Sequence, residues 1–162
     1  MYYIFIEVKY MDEIIRLQKY LSLLRTTANW SVQEFADMLG VTRQTINNLE
    51  KKDPIKMSKV QYLAIRSLFT HEIENGNEVL GKLLYCLVDH PERITENDRA
   101  FIANQAKILS SAAKGGSTKE DIDESWAQIF GMIGGIVGAA IIPFAIEAGI
   151  EWLDVIMNKS KK

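Results

Sequence analysis

Residues 30–50 constrain the fold more than any other part of this chain, because they predict two short helices joined by a glycine turn. Ser31 and Glu34 have the S-x-x-E spacing of a reciprocal helix cap, which starts the first helix after Ser31. Gly40 follows the last residue of that helix, where a backbone that tolerates positive φ is favoured. Thr42 offers a hydroxyl that can cap the second helix. The segment is therefore predicted to be a tightly turned helical pair.

The polar residues of the second helix are more informative than its apolar ones. Ile46 and Leu49 have the i, i+3 spacing of a buried stripe, which any small helical domain needs. Arginine can donate two hydrogen bonds to guanine, and glutamine or asparagine can pair with adenine, in the DNA major groove. The outward residues of these types are Arg43, Gln44, Asn47 and Asn48. They either read bases or are merely solvated.

The motif resembles the helix-turn-helix of phage Cro and repressor proteins, the XRE-like family, in its turn glycine and in the register of its small and branched residues. The resemblance covers about residues 12–70 and implies an N-terminal repressor-like DNA-binding domain. It implies that the helix at 42–50 enters the major groove of double-stranded DNA. Val32 departs from the family, which often has a polar residue in contact with phosphate there. The resemblance assigns base reading to Arg43, Gln44 and Asn48.

The net charge of the chain is -2, but the charges are unevenly distributed. Between Gly40 and Arg66 the sequence has six basic residues against only Glu50 and Asp53. Lysines just beyond the second helix would contact phosphates, which supply affinity without reading sequence, although a lysine run is also common on a solvated surface. The candidate phosphate contacts are Ser31, Thr42, Lys51, Lys52 and Lys56. The C-terminal part is acidic, and we expect DNA to repel it.

Outside the motif the apolar spacing continues to predict helices, so the expected fold class is all-α with a C-terminal apolar helical hairpin. Before the motif, the predicted inward stripe is Ile14, Leu17, Leu21 and Leu24. After it, Ser58, Thr95 and Ser117 are each expected to begin a helix. The expected divisions are a helix-turn-helix DNA-binding domain at 11–75, additional helices at 76–114, a linker at 115–119 and an apolar, glycine-rich module at 120–162.

Residues 1–10 are rich in aromatic and branched side chains, which favours a strand, but no partner strand is evident. The helical pattern begins at Met11. We therefore expect Met11 to be the biological start and residues 1–10 to be an upstream extension. The alternative is a short arm that pairs between subunits.

Residues 129–146 form an uncharged run of eighteen residues that contains four glycines. Such a run reaches the lower limit for crossing a bilayer, and small residues at spacing four permit close helix contact. Past Pro143 the pattern becomes amphipathic, and the flanking charges oppose the positive-inside bias. A hairpin that turns near Pro143 is therefore expected, either as a packed oligomerisation module or inside a membrane. In either case, we expect residues 129–157 to contact a membrane or a partner protein.

Catalytic and metal sites are not predicted. Cys86 and His90 stand four residues apart and could share a helix face as a nucleophile and base, or as two metal ligands. The sequence places no third ligand and no orienting acid beside them. Cys86 is the only cysteine, and we expect it to be a small buried hydrophobe. The chain is expected to be no enzyme and to require no metal or cofactor.

Together these features predict a sequence-specific, repressor-like transcription regulator that binds double-stranded DNA as a homodimer. The single cysteine suits a cytoplasmic setting, because it allows no intramolecular disulfide. The alternatives are a membrane-associated protein and an antitoxin-like interaction protein, both of which would use the C-terminal module.

Overall fold

The structure, a computed structural model, describes residues 12–133, and within that range the chain is helical without strands. The predicted all-α class is confirmed. The extension or arm predicted at 1–10 and the hairpin predicted around Pro143 lie outside the described residues. The helices are α1 (12–19), α2 (Leu21–Thr27), α3 (Val32–Leu39), α4 (Arg43–Glu50), α5 (Lys59–Glu74), α6 (Glu78–Leu84), α7 (Glu96–Lys114) and α8 (Lys119–Met132).

Hydroxyl caps set the starts of most of these helices, as the sequence predicts. The Ser58 hydroxyl accepts a hydrogen bond from the backbone N–H of Gln61, whose side chain accepts one from the backbone N–H of Ser58. The Thr95 hydroxyl accepts from the N–H of Asp98 at the start of α7. Each cap satisfies amides that have no partner inside the helix.

The predicted cap of α8 by Ser117 is wrong by one residue. The Thr118 hydroxyl accepts from the N–H of Asp121 at 3.2 Å and begins the helix instead. Ser117 is engaged by the preceding helix, because its own N–H donates to the carbonyl of Ala112 at 3.0 Å. Gly116, at φ 102°, makes that return bond possible and closes α7 in the manner of a Schellman motif.

The core begins with the predicted inward stripe of α1 and α2, whose four members, Ile14, Leu17, Leu21 and Leu24, are all buried. Three aromatic rings then join α3 to α5. The ring centroid of Trp30 lies 5.8 Å from those of both Phe35 and Phe69, and the two phenylalanine centroids are 6.1 Å apart. Such contacts add to the stabilisation from burial alone. This cluster fixes the first helix of the motif against the long helix behind it.

The helices after the motif are joined to α2. α6 and α7 both contact α2, and α8 packs on α7. The Thr26 hydroxyl lies 3.3 Å from the Ser110 hydroxyl of α7, and the side-chain amide of Asn77 donates to the carbonyl of Thr27. Residues after the motif therefore support α2 directly.

A buried ion pair ties α5 to the segment after α6, where the helix continues as one π-helical turn, Tyr85–Asp89. The Arg66 guanidinium bonds to the Asp89 carboxylate, and their side chains are only 6% and 3% exposed. Burial by itself would lower the pKa of Arg66, but the groups around it, first among them the Asp89 carboxylate, together raise it. The excess of positive charge predicted between Gly40 and Arg66 is therefore one charge too large for the surface, because Arg66 is buried and paired with Asp89.

Replacing Asp89 with alanine should lower the free energy of unfolding by about 3–5 kcal/mol, because Arg66 would remain charged and buried without this partner. Urea unfolding followed by circular dichroism measures the change. Asp123→Ala is the matched control, since Asp123 is exposed on α8 and should change stability by less than about 0.5 kcal/mol. A loss below about 1 kcal/mol for Asp89→Ala would contradict the structural role of the pair.

Candidate nucleic-acid interface

The turn between α3 and α4 has the geometry that its glycine predicts. Gly40 lies in the left-handed region at φ 68° and ψ 30°. The N–H of Val41 donates to the carbonyl of Ala36 and the N–H of Gly40 to that of Asp37, which closes α3. A Cβ at Gly40 would meet no atom within 4 Å, so the requirement is the backbone angle rather than space. This turn sets the crossing of the two helices.

The two faces of α4 are as different as predicted. Ile46 and Leu49 are buried in the core. Arg43 and Gln44 are exposed, and Asn48 is half-buried one turn further on. The side-chain N–H of Gln44 donates to the Oδ1 of Asn48 at 3.0 Å, so these two amides lie side by side on the outer face. The three predicted base-reading residues thus belong to the part of α4 that faces away from the core.

The hydroxyl residues predicted to contact phosphates both act as helix caps. The Ser31 hydroxyl accepts from the N–H of Glu34 at 3.0 Å, and the Glu34 carboxylate accepts from the N–H of Ser31 at 2.7 Å, as the capping-box spacing predicts. The Thr42 hydroxyl accepts from the N–H of Thr45 and lies 3.0 Å from the Thr45 hydroxyl. Both residues are exposed. Glu34 places a carboxylate at the start of α3, beside the first of these positions.

The three candidate lysines follow α4 in the connection to α5. Lys51, Lys52 and Lys56 are all exposed. The N–H of Lys51 donates to the carbonyl of Asn47, so this lysine continues directly from the end of the helix. The side chain of Gln18 on α1 bonds to the backbone of the same connection. Sequence reasoning missed Gln18.

An ion pair missed by sequence reasoning anchors the end of α4. The Nε and Nη2 of Arg25 donate to the two carboxylate oxygens of Glu50, each at 2.9 Å, and Nη1 donates to the carbonyl of Trp30 at 2.7 Å. The side chains are 9% and 10% exposed. The negative charge of Glu50, which the sequence sets against the local basic residues, is therefore paired within the fold and does not offset the exposed positive charge. The charges that remain exposed in this region are Arg43, Lys51, Lys52, Lys56 and Lys59 against Asp53.

Comparison with known families decides what kind of domain this is. Residues 21–64 match a family model described as helix-turn-helix. The match bears out the expected resemblance of this segment to a helix-turn-helix of the Cro/repressor type. The matched residues take in α2, α3, α4 and the first part of α5. No curated protein and no solved structure matches the chain. Proteins of this helix-turn-helix family bind double-stranded DNA, so the match supports a DNA-binding transcription regulator of the XRE kind.

The Cys86 and His90 pair lies outside the helix-turn-helix and does not form a reactive site. Cys86 is fully buried, and burial raises the pKa of its thiol to about 12. The ring of His90 instead packs on Tyr85, with centroids 4.7 Å apart, and its Nδ1 lies 3.2 Å from the Glu92 carboxylate. Within residues 12–133, no group of three acidic, histidine or cysteine side chains is arranged to hold a metal ion.

Most of the segment that could enter a membrane lies among residues that the structure does not describe. Between residues 12 and 133, no helix has both the length and the apolar character needed to span a bilayer. Most of the uncharged run at 129–146 lies beyond that range. Its first residues, Ile129 and Phe130, are buried on α8.

Changing Arg25 to lysine should lower the free energy of unfolding by about 1–3 kcal/mol, because an ammonium group cannot reproduce the two-pronged bond to Glu50 together with the bond to Trp30. Arg43→Lys makes the same chemical change at an exposed position of the helix-turn-helix, and its stability should be unaltered. Chemical denaturation of both variants checks the prediction. Equal stabilities of the two variants would show that the Arg25 contacts do not anchor α4.

Cys86 should resist alkylation while the chain is folded, because the thiol is buried and protonated at neutral pH. Iodoacetamide at pH 8, followed by intact-mass measurement, gives a direct readout since the chain has one cysteine. The reaction should be at least about tenfold slower in buffer than in guanidinium, where the thiol is exposed. Equal rates in the two solvents would contradict the buried position.

Proposed function

We propose that this chain is a sequence-specific, repressor-like transcription regulator that inserts the helix at 42–50 into the major groove of double-stranded DNA. One observation carries the proposal: Arg43, Gln44 and Asn48 lie on the outer part of α4 while Ile46 and Leu49 on its other face are buried. Because one face of α4 packs in the core, the polar side chains on its other face are carried by a backbone of fixed position. The diameter of the helix suits the major groove.

The side chains on α4 have the donors and acceptors that distinguish base pairs. Arg43 can donate two hydrogen bonds to O6 and N7 of guanine, and Gln44 or Asn48 can pair with N6 and N7 of adenine. The hydrogen bond between Gln44 and Asn48 restricts both side chains before DNA arrives. Such restriction reduces the conformational entropy that binding has to remove.

The exposed lysines after α4 supply the part of the affinity that does not depend on sequence. Lys51, Lys52 and Lys56 stand next to the end of the recognition helix, where the phosphate backbone borders the groove. Ser31 and Thr42 are further candidates, each at the start of a helix whose first amides can also face a phosphate. These contacts would fix the register in which α4 reads the bases.

A homodimer suits this mode of binding. A two-fold dimer reads two half-sites whose centres are about one helical turn, roughly 34 Å, apart. Its operator would then be close to palindromic. A protein that covers such a site excludes other proteins from it, which is a physical basis for repression.

Selection of bound duplexes from a random library with the full chain tests the function. We expect an enriched, palindromic motif, because two copies of α4 would contact equivalent bases. Failure to enrich any motif at low salt, where phosphate contacts are strongest, would reject sequence-specific binding.

On the selected duplex, Arg43→Ala should weaken binding by about 1–3 kcal/mol and relax the preference at one base of each half-site. The reason is the loss of a two-pronged contact to a base edge. Fluorescence anisotropy on the consensus and on single-base variants measures the effect. Equal losses on every duplex would show that Arg43 contacts only the backbone.

Lys52→Ala should weaken binding to all duplexes alike and reduce the slope of log affinity against log salt by about 0.9, the amount expected for one phosphate contact. Lys119→Ala is the matched control, because Lys119 is an exposed lysine at the start of α8. Its slope should equal that of the unaltered protein. Similar slope changes in both variants would indicate general screening rather than a local contact by Lys52.

A further inference from the structure

The connection between α4 and α5, residues 51–58, has the charges to bind DNA but few contacts of its own to hold it. It contains no helix or strand, and Met57 is its only buried side chain. A segment of this kind would ordinarily be among the least stable parts of a fold. Lysines on a mobile segment lose conformational freedom when they bind, which weakens binding.

The side chain of Gln18 supplies the missing contacts from α1. Its Nε2 donates to the carbonyl of Ile55 at 2.7 Å and to the carbonyl of Leu49 at 3.2 Å. Its Oε1 accepts from the N–H of Met57 at 2.9 Å. One half-buried amide thereby joins the end of α4, the middle of the connection and Met57, which immediately precedes the Ser58 cap of α5.

We infer that Gln18 is a positioning residue for DNA binding, which holds residues 51–58 so that Lys51, Lys52 and Lys56 meet the phosphate backbone while α4 occupies the groove. The inference rests on the proposed function, because it concerns the same surface. Gln18 acts through the backbone of the connection. Its effect is on phosphate contacts, whereas Arg43 acts on bases.

The chemistry of the contacts requires an amide at this position. Two carbonyls need donors, and one N–H needs an acceptor. A glutamate of nearly the same shape could accept from Met57 but would place a carboxylate oxygen against two carbonyl oxygens. Gln18→Glu is therefore a sharper variant than Gln18→Ala, since it preserves size and removes the donors.

The first measurement is amide hydrogen exchange on the full chain without DNA. In Gln18→Ala, which removes the acceptor, the N–H of Met57 should exchange at least about tenfold faster, while amides in the middle of α7 keep their protection. Asn104→Ala, which removes an exposed amide side chain from α7, is the control and should leave Met57 unchanged. Unchanged protection of Met57 in Gln18→Ala would overturn the inference.

The second measurement is the salt dependence of DNA binding by the same proteins, with their folding confirmed by thermal unfolding. The Gln18 variants should lose the same factor of affinity, between about threefold and thirtyfold, on matched and unmatched duplexes. Their salt slope should fall by about 1–3, because as many as three phosphate contacts depend on the connection. If Gln18 only stabilised the fold, its replacement would lower the folded fraction and leave the salt slope of DNA binding unchanged.

The outcomes separate the two proposals. If the unaltered protein binds no duplex, the proposed function fails. If it binds with the expected slope and the Gln18 variants keep that slope, the function stands and the positioning role is overturned.

Discussion

The guanidinium of Arg25 bonds to both carboxylate oxygens of Glu50 and to the carbonyl of Trp30, and the proposed DNA-binding surface depends on these bonds. Glu50 is the last residue of α4, and Trp30 stands in the loop before α3, so one side chain of α2 joins both helices of the motif. A nearly buried charge is tolerated only with a well-placed partner. The orientation of α4 is thereby fixed to a rigid core rather than left to the glycine turn alone.

A different set of hydrogen bonds holds residues 51–58, the connection that carries Lys51, Lys52 and Lys56. Gln18 bonds to backbone groups, so the connection can keep its charged side chains in solvent while its main chain is fixed to α1. Together, Arg25 and Gln18 place the residues that we propose to read bases and to bind phosphates on one preformed surface. The later helices strengthen it indirectly, because α6 and α7 pack on α2, which carries Arg25. A preformed surface loses less conformational entropy on binding than one that must order itself on DNA.

The parts of the fold that could be predicted from sequence are those governed by neighbouring residues. The turn at Gly40 and the hydroxyl caps depend on three or four consecutive positions, and only the start of α8 was displaced, because Ser117 serves the preceding helix. The contacts of Gln18 span 31 to 39 residues, and no local pattern marks them. The surface charge of this region could not be predicted correctly for the same reason. Glu50 and Arg66 are paired inside the fold, and a buried, paired charge has no distinctive sequence signal. The roles of the base-reading and phosphate-binding residues remain predictions.

We propose that the exposed part of α4 reads the major groove from this fixed position. Dimethyl sulfate footprinting of a selected duplex tests it most directly, because the reagent methylates guanine N7 in the major groove and adenine N3 in the minor groove. We expect protection of guanine N7 in two half-sites about one helical turn apart, with adenine N3 still reactive. Protection confined to adenine N3, or no protection on a duplex that is fully bound, would contradict it.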